Sequence, residues 1–256
     1  FPGQTLDEAG PPGYAWLARD LLPGMLTFIG KAKGAGFSLH AAIYEMKWPA
    51  VLKAFKDASK AGAVVDIIYH AKDDDTGNAN DAEISAAGIK SLVRPRVDVK
   101  LMHNKFIVVD DEITWFGSWN LTENDTFRNN NNMVRAVSAR LAAYYAAEFE
   151  QMFGGAFGSR KQGDIAKDAV RIGAARLQAY FSPKDRAAQH VVESVNQARR
   201  SIRFMAFSFT SEPIGAAMIA KHEAGISVQG VFERQNSTGS GAEYPIMQNA
   251  GMDVLV

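Results

Sequence analysis

The feature that most constrains this chain is that it repeats itself. Landmarks recur 163 positions apart: Ser38 with Ser201, Gly62 with Gly225, Val65 with Val228, and Gly88 with Gly251. Recurrence at one spacing without a gap points to two copies of one supersecondary unit. Each copy opens on an apolar run, Leu39 to Tyr44 and Ile202 to Phe209. Apolar residues at helical spacing come next: Val51, Leu52 and Phe55 in one copy, Ile214, Met218 and Ile219 in the other. Each helix is expected to stop at its glycine, Gly62 or Gly225, where a left-handed cap favours that residue. A second strand succeeds it, Val64 to Tyr69 and Val228 to Phe232, before a polar loop, a short helix and another glycine. Strands alternating with helices imply βαβ crossovers, hence an α/β fold with a largely parallel sheet covered on both faces.

The two copies set the expected organisation. A first half runs over residues 1–153, a glycine-rich connector over 154–163, and a second half over 164–256. Ala139 to Phe153 is patterned as a helix, Leu177 to Phe181 as a strand, and Arg186 to Arg200 as a helix. The opening FPGQTLDEAGPPG reads as coil. With 256 residues, 47% of them hydrophobic, the chain has material for two packed cores. The absence of cysteine excludes disulfides, thiol nucleophiles and thiolate metal sites. Twenty-eight basic residues balance 28 acidic ones, which excludes a polybasic nucleic-acid wrapper. No run reaches eighteen apolar residues, so no stable membrane insertion is expected.

The chemistry is concentrated between Val97 and Asn120. A strand through Val99–Val109 would place His103 and Lys105 on one face, because side chains alternate with period two. Phe106 to Val109 is continuously apolar, as in a strand buried on both faces. Asp110-Asp111-Glu112 makes a polar turn and Ile113 to Phe116 returns as the partner strand, leading into Gly117-Ser118-Trp119-Asn120. Such a hairpin brings an imidazole, an ammonium, a hydroxyl and an amide toward one end of a sheet. That set suits a phosphodiester: the imidazole can attack phosphorus, and the cation and donors can hold the phosphoryl oxygens.

At these residues a resemblance becomes specific. His103 and Lys105 with one residue between them, Asp110 four residues on, Gly117-Ser118 after six more, then Asn120, resemble the signature of the phospholipase D superfamily. Six such positions at fixed spacing would arise by chance on the order of 10⁻⁸ per start position. The resemblance implies two similar halves, each a mostly parallel or mixed sheet flanked by helices, forming a pseudo-two-fold sandwich. It implies a metal-independent phosphodiesterase without cofactor, acting on a phospholipid head group or a nucleic acid through a covalent phosphohistidine. His103 would be the nucleophile, Lys105 the phosphate clamp, and Ser118 and Asn120 phosphate ligands. Asp110 is the third catalytic residue of the motif, but it lies an odd number of positions from His103 and would face the other way on a regular strand, which suits a structural role.

The family pairs two such motifs. The 163-residue spacing puts the second histidine, lysine and aspartate at 266, 268 and 273, past Val256. A C-terminal remainder or a separate fragment is therefore the expected partner. Arg128 to Asn132 contains no acid to orient the histidine, where family members often carry one. The alternative reading is a non-catalytic scaffold that binds anionic phosphate ligands.

Other residues have plainer readings. His40, His190 and His222 read as structural or solvated, and His70, ending a strand, as a neighbour of the site. Asp73 to Asn78 lacks the glycine and glutamate of a calcium loop and reads as a solvated turn. Arg94, Arg96 and Lys100 form either an exposed face or a rim attracting anions, and Trp119 either packs or stacks on substrate.

Overall fold

Two helices precede the first strand: α1 (Leu6–Ala18), kinked at Gly10, which takes in residues 6–13 of the expected coil, and α2 (Leu21–Ile29), which lies beyond it. The prolines of both helices occupy permitted places. Pro11 and Pro12 come directly after the kink and Pro23 lies in the first turn of α2, where a missing N–H leaves no helical bond unmade. The computed structural model describes residues 6–71, 79–97, 101–166 and 168–256. The chain divides into two compact units, Phe1–Ala179 and Tyr180–Val256.

The first unit continues through β1 (Ser38–Ile43), α3 (Pro49–Lys60), β2 (Val64–Ala71), α4 (Ala79–Ala87) and β3 (Val93–Val97). Then come β4 (Lys105–Val109), β5 (Ile113–Gly117), α5 (Glu123–Phe127), β6 (Met133–Val137) and α6 (Ala139–Phe153). Six strands form one sheet in the order β3-β2-β1-β4-β5-β6. β1, β2 and β3 run parallel, while β4 lies antiparallel to β1 and opens an antiparallel meander. The sheet is therefore mixed, and it is buried on both sides as the apolar runs required. Ala41, Ile43, Ile67 and Ile107 face a core shared with Phe28, Leu52 and Phe55 of the N-terminal helices and α3. Their neighbours Ala42, Ile68, Phe106 and Val108 face Ala142, Phe149 and Met152 of α6.

The segment after α6 is anchored rather than free. Lys161 pairs with Glu148 of α6, both buried. A small hairpin, β7 (Val170–Ile172) with β8 (Ala175–Leu177), packs beside Leu141 and Tyr145. The strand thus ends at Leu177 instead of beginning there. A two-residue turn with Gly173 at φ 59 is the local cause.

The second unit contains α7 (Ala187–Asn196), β9 (Ser201–Ala206), α8 (Glu212–Glu223), β10 (Ser227–Phe232), α9 (Tyr244–Asn249) and β11 (Asp253–Leu255). Its three strands are parallel, in the order β11-β10-β9. The repeat read from the sequence reappears here as geometry. α3 and α8 occupy equivalent spans 163 residues apart. Ser38 pairs with Val64 across β1–β2, and Ser201 pairs with Ser227 across β9–β10 at the same separation. Gly62 and Gly225 both take the left-handed conformation that ends the helix. Unlike the first sheet, this one alternates buried and exposed residues, and Met205, Phe207 and Leu255 lie more than half exposed. No helix among the described residues is long and apolar enough to cross a membrane.

Candidate active site

Strand ends bring the motif together. β1 and β2 are parallel, and β4 pairs antiparallel with β1, so the start of β4 lies beside the finish of β1. Ile43 is the partner of Lys105, and the Tyr44 N–H donates to the Asn104 carbonyl at 2.9 Å. β5, antiparallel to β4, finishes at this same end with Gly117. Gly117 cannot be replaced freely: a Cβ there would sit 2.2 Å from the Asn132 oxygen and 2.7 Å from Met133 Sδ.

Lys105 opens β4 and is buried, its ammonium donating to the His103 carbonyl at 3.1 Å. His103 precedes the strand in an irregular stretch, and its side chain is exposed. The two are therefore not neighbours on one strand face, and residues 98–100 of the expected strand lie outside the described residues. A tyrosine joins them instead. The Tyr44 ring meets the His103 ring edge-on at 4.8 Å, and Lys105 Nζ lies 5.0 Å from its centroid.

Partial desolvation of the His103 ring, burial of Lys105 and neighbouring charge tune the two groups. Desolvation, then the Lys105 cation, lowers the His103 pKa below the ordinary 6.5, which favours the neutral imidazole. Desolvation brings Lys105 from 10.5 down to about 8, against the opposing pull of Asp125 and Glu45. The same two carboxylates act upward on His103.

Asp125 is the residue sequence reasoning missed. A carboxylate that acts on both His103 and Lys105 comes from the short helix α5, just upstream of Arg128–Asn132. Thr122 caps that helix, its hydroxyl accepting the Asp125 N–H, and this capping pattern was the available signal. Buried, Asp125 accepts the Asn120 N–H at 2.9 Å and an Asn129 side-chain N–H at 2.8 Å. Asn120 is buried, and its side-chain oxygen has no hydrogen-bond partner among the described residues. Ser118 lies at the same strand end but is engaged with the next loop, donating to Asn131 Oδ1 at 2.8 Å and accepting the Asn132 N–H. A cavity of about 360 Å³, lined by Glu45, Trp48, Thr122, Glu123 and Asp125 among others, opens beside these acids.

Several candidates lie elsewhere. Asp110 sits in the β4–β5 turn at φ 55, its N–H donating to the Ser38 carbonyl. Five residues of strand separate it from Lys105 by about 17 Å, so the structure does not bring it to His103. Arg94 lies over the Phe153 ring at 3.6 Å and donates to the Phe153 carbonyl at 2.9 Å. Arg96 is buried over Phe157. Both serve the C-terminal end of α6 and the loop beyond it, and Lys100 falls outside the described residues. Trp119 is 1% exposed with its indole N–H on Thr126, so it packs. His40 stacks on Phe149, and His190 stacks on Tyr180 in the second unit. His70 does neighbour the site: it is buried, 5.3 Å from the Tyr44 ring. Asp73 to Asn78 lies outside the described residues. Among those described, no three His, Asp or Glu side chains are grouped to hold a metal ion.

Known proteins share this outline. Residues 25–153, just over half of the chain, match the family described as the cardiolipin synthase PLD-like domain. No curated protein matches the sequence. Among solved structures, the phospholipase D family member Nuc from Salmonella typhimurium is 26% identical, with a TM-score of 0.45 over 52% of this chain and 86% of that one. The phosphatidylserine synthase of Haemophilus influenzae Rd KW20 is 10% identical, with a TM-score of 0.58 over 84% of this chain and 60% of its own. The polyphosphate kinase of Porphyromonas gingivalis is 11% identical, with a TM-score of 0.54 over 86% of this chain and 36% of its own. At these identities the synthase and the kinase speak for the fold alone.

Proposed function

The chain belongs to the phospholipase D superfamily, and from that premise we propose that it is a phosphodiesterase whose nucleophile is His103. The observation that carries the reading is an exposed imidazole, biased toward its neutral form, next to the buried Lys105 ammonium. In the proposed reaction a His103 ring nitrogen bonds to phosphorus as the bond to the leaving oxygen breaks, giving a phosphohistidine. Lys105 holds a phosphoryl oxygen, with the Asn120 amide as a further ligand. The leaving oxygen takes its proton from a second histidine, carried by a C-terminal remainder or a separate fragment. Water or an alcohol then displaces the imidazole, and no metal enters.

Two features that suggested nucleic acid are engaged in packing: Arg94 and Arg96 serve the end of α6, and Trp119 lies in the core. Plasmid DNA and phosphatidylcholine, offered in parallel with bis-p-nitrophenyl phosphate in chelator, separate nuclease from phospholipase action. Turnover that disappears in His103→Ala, with an acid-labile phosphoenzyme trapped in the parent, supports the reading. Turnover surviving His103→Ala removes the nucleophile. Phosphate binding without turnover, with the second motif supplied, makes the protein a scaffold.

A further inference from the structure

We propose that Tyr44 is the positioning residue of this site, its ring fixing the orientation of the His103 imidazole and seating the Lys105 ammonium beside it. The proposal rests on the reading of His103 as nucleophile, though the contacts that carry it do not.

Both reactive groups touch one aromatic ring, at 4.8 Å for the imidazole and 5.0 Å for the ammonium. His103 lies outside regular structure and is exposed, so strand geometry does not set its orientation. The ring itself is held. Tyr44 donates its N–H to Asn104, the residue between His103 and Lys105. Asn80, buried, donates to the Tyr44 carbonyl at 3.2 Å and to the His70 carbonyl at 3.1 Å, and accepts the Met46 N–H at 3.0 Å. One amide thereby ties the ends of β1 and β2 together. The His70 ring packs against Tyr44, and its Nδ1 accepts the N–H of Met102, the residue before His103. The loop bearing the nucleophile is thus held on both sides by groups that converge on Tyr44.

The repeat separates ring from hydroxyl. The residue 163 positions after Tyr44 is Phe207, which keeps the ring and lacks the oxygen. The role is assigned to the ring because both contacts, with the imidazole and with the ammonium, are made by the ring. An aromatic face holds a cation and an edge-packed imidazole without the hydroxyl.

The test uses the full chain with His103 tracked by NMR. In the parent protein, nuclear Overhauser contacts between the Tyr44 ring and the His103 ring are expected, and their absence overturns the proposal without any variant. Tyr44→Leu and Tyr44→Met should return the His103 titration toward 6.5. They should lower kcat about tenfold or more with little change in KM, since misorientation acts on the reacting geometry. Tyr44→Phe should recover both. A His103 titration unmoved in the folded Leu or Met variant, whatever the loss in thermal stability, marks Tyr44 as mere packing and overturns the proposal. A parent without turnover on any phosphodiester defeats the functional reading, while the NMR arm still decides the positioning role.

Discussion

Asp125 accepts the backbone N–H of Asn120 at 2.9 Å, so the residue that carries the buried acid also fixes the strand-end amide. Because Asp125 raises the pKa of both His103 and Lys105, its charge and its hydrogen bond are separable. Asp125→Asn keeps an acceptor for Asn120 and removes the charge. Both titrations should then move down, Lys105 to below about 8. Heteronuclear NMR of the two side chains reads this directly; titrations that stay put, or rise, contradict the electrostatic assignment.

The same shifts set the pH profile. His103 attacks when neutral, so activity appears as pH rises through a value below 6.5. Lys105 clamps phosphate when charged, so activity falls as pH rises through about 8. A bell bounded by these two is expected in kcat/KM. Lys105→Met should cost roughly 10²–10³ in rate and abolish the alkaline limb. Lys105→Arg, charged throughout, should also remove that limb, and a limb that persists would assign it to another group.

Asp110 offers a sharp contrast. Its place in the turn, at φ 55, calls for a residue that tolerates the left-handed region. Asp110→Asn should leave turnover within about twofold, while Asp110→Val should destabilise the fold by about 1–2 kcal/mol. Denaturant titrations beside rate measurements distinguish the two; a hundredfold loss in the asparagine variant would return Asp110 to the chemistry.

Gly117→Ala tests the crowding at the end of β5. The new Cβ would have to displace backbone at Asn132 and Met133, at an expected cost of about 1–3 kcal/mol. The midpoint of chemical denaturation should fall accordingly, and an unchanged midpoint would show that the loop yields.

Much of the architecture was legible because repeated pattern and backbone requirement coincide. Val51, Leu52 and Phe55 give the buried face of α3, and Gly62 is the residue its left-handed terminus needs. The continuous run from Phe106 to Val109 foretold a strand covered on both faces. The features that escaped depend on tertiary context. α1 and α2 carry prolines that forbid helix interiors but suit helix starts, a distinction of one turn. Asp125 reaches the site only because α5 turns back beneath Asn120. Tyr44 and Asn80 carry no signal of period or spacing; strand pairing brings Tyr44 to His103, and the start of α4 brings Asn80 to the Tyr44 carbonyl. Arg94 and Arg96, polar by composition, are claimed by aromatic rings distant in sequence.

The common register of the two βαβ cores bears on how the chain folds. Ser38 must find Val64, and Ser201 must find Ser227, across equal lengths of intervening chain. Loop-closure entropy is therefore the same for each pairing, and neither core gains a head start from topology. Which one nucleates is left to local helix strength and to the apolar contacts each helix can make early, so α3 and α8 are where mutation should alter folding rates.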